Sequence, residues 1–82
     1  MDTKQKYIRL EQYDMFVIFN ATLQHKDFKF LGKIKSAGYC DIYNNEVTCF
    51  DKSVSLGLDS LPEDSKLCTK QLFGYEAMEA MK

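Results

Sequence analysis

Three cysteines, Cys40, Cys49 and Cys68, and the single histidine, His25, are the side chains of this chain best suited to metal or nucleophile chemistry. Three thiolates and one imidazole would complete a tetrahedral zinc shell. The spacing argues against it, because no two cysteines form the C-x2-C pair of a zinc knuckle. A thiol nucleophile needs a base within hydrogen-bond reach and an oxyanion site, and nothing in the sequence brings His25 to a cysteine. The plainer reading is three free, mostly buried thiols acting as small apolar residues. His25 then sits in a solvated loop or at a helix start. No metal and no cofactor is expected, and a small thiol enzyme is the last of the functions considered.

A second group is basic and aromatic. Lys26, Lys29, Lys33 and Lys35 interleave with Phe28, Phe30 and Tyr39. Single-stranded nucleic acid is held by that combination, cations for phosphates and rings for bases. The competing reading is an edge element with inward rings and solvated lysines. Asp59, Glu63 and Asp64 resemble paired catalytic carboxylates, but a helix start explains all three. Ser53 and Ser55 lie in no G-x-S-x-G context, and Gly57 belongs to no phosphate-binding fingerprint.

The elements that must position these residues can be read from hydrophobic period and turn chemistry. Tyr7 to Glu11 alternates loosely, Gln12-Tyr13-Asp14 can turn the chain, and Met15 to Phe19 is an apolar, β-rich run. This predicts an antiparallel hairpin whose second strand is buried on both faces. Residues 22 to 31 allow a short helix capped by Thr22 or Asn20, with Leu23, Phe28 and Leu31 inward and Gly32 at its end. The run Lys26 to Phe30 also alternates like a strand. Asn44-Asn45 suits a type I′ turn, since Asn tolerates positive φ at both central positions. Counting outward, Tyr43 faces Glu46, Ile42 faces Val47, Asp41 faces Thr48 and Cys40 faces Cys49. Cys40, Ile42, Val47 and Cys49 then share the core face. A Cys40–Cys49 disulfide is geometrically conceivable, but free thiols are expected in a reducing compartment.

Ser60-Leu61-Pro62-Glu63-Asp64 predicts a helix start. Ser60 caps, Glu63 completes a capping box, and Pro62 lies in the first turn. Leu61, Leu67, Cys68, Leu72 and Tyr75 make the apolar face. Gly74 stops or loosens the helix, and residues 75–82 extend it or hang as a frayed tail. The expected fold is α+β: a small antiparallel sheet of two β-hairpins in the order β-β-(α)-β-β-α, with the C-terminal helix on one face.

With 82 residues, a single domain spanning 1–82 is expected. The hydrophobic fraction of 45% and charged fraction of 28%, with six Phe and five Tyr, argue against disorder. Net charge is −1, which disfavours a strongly basic nucleic-acid binder. The charge is uneven, net +3 through Lys35 and −4 beyond it. No apolar h-region follows the first residues and no apolar run is long enough for a membrane span, so a cytoplasmic protein without membrane contact is expected.

Ser36-Ala37-Gly38-Tyr39-Cys40, Val47-Thr48-Cys49, Ser53 to Ser60 and Pro62-Glu63-Asp64-Ser65 together form a run similar to one in small hypothetical proteins of tailed phages and prophages. Val17-Ile18-Phe19 and a following His25 extend the likeness, which covers about half to two-thirds of the chain by eye. Leu61 departs from it, standing where a basic residue is expected, and Asp51 stands where Gly is expected. The resemblance implies a phage or prophage gene and a bacterial host cytoplasm; it carries no catalytic residues. The first functional expectation is a non-enzymatic accessory protein that binds and modulates a host or phage protein, with anti-defence among the roles that fit. The alternative is a nucleic-acid accessory protein using Lys26, Phe28, Lys29, Phe30, Lys33 and Lys35.

Overall fold

The computed structural model describes the backbone of residues 4–80 and the side chains of residues 4–74. Its elements are β1 (Gln5–Leu10), β2 (Phe16–Phe19), β3 (Ile34–Tyr43), β4 (Glu46–Phe50), β5 (Lys52–Ser53), β6 (Leu58–Asp59) and α1 (Asp64–Ala80), with 3-10 segments at Gln12–Asp14 and His25–Leu31. Strands β1 to β4 form an antiparallel sheet in the order β2-β1-β3-β4. The mixed α+β class and the two hairpins follow the sequence reading, and α1 packs on one face.

Alternation along the central strands sorts the core into two layers. Tyr7, Phe16, Cys40, Val47 and Cys68 make the layer beneath α1, with Ile18, Ile42, Cys49, Leu67 and Phe73 against it. Ile8, Leu10, Phe19 and Ala37 face the other way, covered by Phe28, Ile34, Leu56 and Leu58. The expectation that β2 serves both faces therefore holds. The second face is not open: the 3-10 segment and the β5–β6 pair lie on it, and that small pair was not anticipated. It forms because Asp51 and Gly57 take left-handed backbone, with φ of 64° and 67°, and fold the chain back after β4.

The β3–β4 hairpin has the register counted from its turn. Asn44 and Asn45 lie at φ of 50° and 60°, and Cys40 faces Cys49, Ile42 faces Val47, and Tyr43 faces Glu46. Four other readings are corrected. The segment 22–31 is a 3-10 helix beginning at His25, boxed by Gln24 and Asp27 rather than capped by Thr22 or Asn20. Only Phe28 of its three inward candidates is half-buried; Leu23 and Leu31 are exposed. The helix α1 begins at Asp64, four residues after its expected cap. Ser60 Oγ instead donates to the Phe50 carbonyl at 2.8 Å, and Leu61 N–H donates to Asp64 Oδ2 at 2.9 Å. Leu72, expected inward, is exposed. Gly74 breaks the helical path with φ of 77°, and helix resumes to Ala80. The Tyr75 side chain and residues 81–82, part of the expected tail, lie outside the described residues.

Side chains of α1 bond to both outer strands. On β4, the Cys49 N–H donates to Ser65 Oγ at 2.7 Å and the Val47 N–H to Thr69 Oγ1 at 2.9 Å. On β2, the Phe16 N–H donates to Gln71 Oε1 at 3.0 Å, and Gln71 Nε2 donates to the Asp14 carbonyl. The Gln71 amide thus occupies the place of a neighbouring peptide. Unpaired strand edges recruit other chains, and covering them prevents it.

Candidate functional site

The most heavily charged position in the interior is Arg9, on β1 and 3% exposed. Alternation turns it to the α1 side with Tyr7, and its guanidinium lies 5.8 Å from the Phe16 ring centroid. Three carboxylates surround it. Nη1 donates to Asp64 Oδ1 at 2.8 Å and to Glu63 Oε2 at 3.0 Å; Nη2 and Nε donate to Asp14 Oδ1 at 2.8 and 3.1 Å. Asp64 is fully buried and also accepts from the Tyr7 hydroxyl. Burial works to raise the Asp64 pKa, but the hydrogen bonds from Leu61, Tyr7 and Arg9 outweigh it and hold the carboxyl below its ordinary value. Burial, then the Asp64 carboxylate, push the Tyr7 hydroxyl up, so it remains a donor. Glu63 was expected to cap the helix with Ser60; its carboxylate turns to Arg9 instead.

This network fixes the loop joining β1 to β2. Asp14 is held by its carboxylate on Arg9 and by its carbonyl on Gln71. Tyr13 and Asp14 both take left-handed backbone, with φ of 62° and 48°. A bulky residue there costs of order 1–3 kcal/mol and persists only where surrounding contacts over-determine it. The consequence is a ring 82% exposed, presented at the loop tip on a rigid base. Met15 and Leu72, the next residues after Asp14 and Gln71, are also exposed.

The basic and aromatic stretch does not form one platform. Phe28 turns inward and packs against Phe19, with centroids 4.2 Å apart and planes tilted by 33°, whereas Phe30 is 79% exposed. Lys33 pairs with Glu11 at 3.6 Å and Lys35 with Asp14 at 3.9 Å. Lys26 and Lys29 are exposed on the 3-10 segment.

No known family, curated protein or solved structure matches this chain.

The sheet separates the thiols from the histidine. Cys40, Cys49 and Cys68 are free and lie in the layer under α1. His25 lies on the opposite face, against Phe19 and Tyr39. A metal shell of three thiolates and one imidazole is incompatible with that separation, and so is a cysteine–histidine dyad. His25 is moreover buried, not solvated as expected, because Nε2 donates to the Gly38 carbonyl at 2.7 Å and satisfies the ring inside. Burial lowers its pKa. Burial also pushes the Cys40 thiol up to about 12, which suppresses the nucleophilic thiolate. Among the described residues, no group of three or more metal-ligating side chains converges, and no helix is long and apolar enough to cross a membrane.

Sequence reasoning missed Arg9, Tyr7 and Asp64 as a unit. The available signal was an arginine on a strand whose neighbours alternate inward, since a buried guanidinium requires acidic partners.

Proposed function

We propose that this chain is a non-enzymatic accessory protein that binds another protein and alters its action, and that it is encoded by a phage or prophage and works in the bacterial host cytoplasm. The observation that carries the binding role is Tyr13. It is an exposed aromatic on a strained backbone, locked by Arg9 through Asp14 and by Gln71. Tyrosine is enriched among the few residues that dominate interface energy. A loop already held in one conformation avoids the ordering cost of binding. Met15, two residues further on, supplies exposed apolar surface as well. The phage origin rests on the resemblance of the run from Ser36 to Ser65.

Capture from nuclease-treated bacterial lysate with the wild type and with Tyr13→Ala tests this reading. A protein retained by the wild type should be lost from the variant, because truncating an anchor weakens binding by about 2 kcal/mol or more. Equal retention by both would reject Tyr13 as the anchor. Absence of any saturable partner would reject the binding role.

A further inference from the structure

The covers on the second face of the sheet, the 3-10 segment and the β5–β6 pair, leave a gap between them. An open cavity of about 320 Å³ lies there, lined by Lys29, Gly32, Lys33, Ile34, Leu56 and Leu58. Its floor is apolar, with Ile34, Leu56 and Leu58 each half-buried. A second open cavity, also of about 320 Å³, has Leu10 and the 40%-exposed Leu31 in its lining and shares Gly32 and Lys33 with the first. A Cβ at Gly32 would meet nothing within 4 Å, so no side chain divides the two and they form one groove. The charged side chains lining the first cavity are both lysines. Lys29 pairs with no carboxylate among the described residues, and Lys33 is held by Glu11 at 3.6 Å in an exposed pair of the kind worth little. An occupant complementary to this groove is apolar along one side and acidic beside it.

The chain carries such a segment at its other end. Tyr75, Met78 and Met81 recur every third residue, with Glu76 and Glu79 between them and Lys82 as the single cation. Residues three apart are neighbours on a helix, so this spacing gathers the apolar side chains into one stripe with both carboxylates along one flank. The backbone of 75–80 is helical, and Gly74 breaks the path before it with φ of 77°, so the segment leaves the axis of α1. We propose that the groove takes segment 75–82 of a second copy of this chain, with Met78 and Met81 over Ile34, Leu56 and Leu58, and Glu76 and Glu79 toward Lys29 and Lys33. Methionine suits such a floor because its unbranched side chain fills irregular apolar gaps. A copy's own segment falls short. Layers on opposite faces of a sheet stand about 20 Å apart, about 10 Å for each, and eight helical residues span about 12 Å. Two copies exchanging segments fill both grooves, a closed two-fold arrangement. The overall charge favours the same encounter, since residues through Lys35 carry net +3 and those beyond it −4. None of the paired charges belongs to the Tyr13 loop.

Sedimentation equilibrium of the full chain tests the exchange. The wild type should pass from monomer to dimer between micromolar and millimolar concentration at low salt, and added salt should weaken the dimer. Lys29→Glu with Lys33→Glu should weaken it at least tenfold, and so should Glu76→Lys with Glu79→Lys, because each change turns attraction at the groove edge into repulsion. Each variant repels its own copies and complements the other, so an equimolar mixture of the two should recover the dimer. Met78→Ser with Met81→Ser should weaken association and gain nothing from such mixing. Lys29 and Lys33 are exposed, so their variant keeps the fold, which circular dichroism checks. A wild type that stays monomeric at millimolar concentration overturns the proposal. A dimer indifferent to either charge variant assigns association to another surface and overturns it too. A mixture that fails to recover the dimer rejects the pairing of this segment with this groove.

Discussion

Arg9 Nη1 and Asp64 Oδ1 are 2.8 Å apart although 55 positions separate them in the chain. The pair joins the central strand to the first residue of α1, and Tyr7, Asp14 and Glu63 complete it. Removing Arg9 leaves the buried Asp64 carboxylate without its counter-charge, which costs about 3–5 kcal/mol. Arg9→Ala should therefore be strongly destabilising in chemical denaturation. Replacing the pair together, Arg9→Met with Asp64→Leu, should cost clearly less than the two single changes added. Strict additivity would show that the contact is energetically inert.

Acid should destabilise the fold in two steps. The folded His25 imidazole titrates below its unfolded value of about 6.5, so the stability linked to its neutral form is complete above that pH and declines below it. The folded Asp64 carboxyl titrates below its unfolded value of about 3.9, so its contribution holds above that pH and is lost as pH falls through the folded value. Denaturation midpoints from pH 8 to 2 should show both declines. His25→Gln should flatten the first and Asp64→Asn the second; an unchanged decline between pH 6.5 and 5 in His25→Gln would refute the assignment.

The thiols should be slow to react. Cys40 is fully buried with its thiol pushed to about 12, and Cys49 is raised too, first by the Cys68 thiol and then by burial. Iodoacetamide at pH 8 should leave Cys40 unmodified in the folded protein and modify all three cysteines in denaturant, read by intact mass. Rapid labelling of native Cys40 would place it at the surface.

The helix hydroxyls that close β4 should matter more than their size suggests. Thr69 is 1% exposed, and Thr69→Val keeps its volume while leaving the Val47 N–H without its acceptor. An unsatisfied buried donor costs about 1–3 kcal/mol. The denaturation midpoint should fall accordingly, and a midpoint equal to that of the wild type would mean water or a carbonyl replaces the hydroxyl.

Local rules made much of this fold legible in the sequence. The Asn44-Asn45 turn set the β3–β4 register because two left-handed positions in a row admit few residues. The run Met15 to Phe19 declared a strand by its β-branched and aromatic content. What sequence could not supply were contacts between distant segments. Ser60-x-x-Glu63 looked like a capping box, yet Arg9 drew Glu63 away, and the Phe50 carbonyl took Ser60. That second bond lies over Gly38, where a Cβ would stand 2.4 Å from Ser60 Oγ. The lysines interleaved with Phe28, Phe30 and Tyr39 suggested a binding platform, but burial against Phe19 claimed Phe28.

The bonds from Ser65, Thr69 and Gln71 to both sheet edges have a consequence for biogenesis. The helix follows every strand in the chain, so a growing chain can pair β1 to β4 before the residues that seal them have been synthesised. During that interval the outward N–H groups of Phe16, Val47 and Cys49 are open to other nascent chains, the situation in which edge-to-edge aggregation begins. Slow elongation between Asp59 and Gln71 prolongs the interval and rapid elongation shortens it. Faster translation over that stretch should therefore raise the soluble yield of this protein, measured with synonymous codons of different decoding speed.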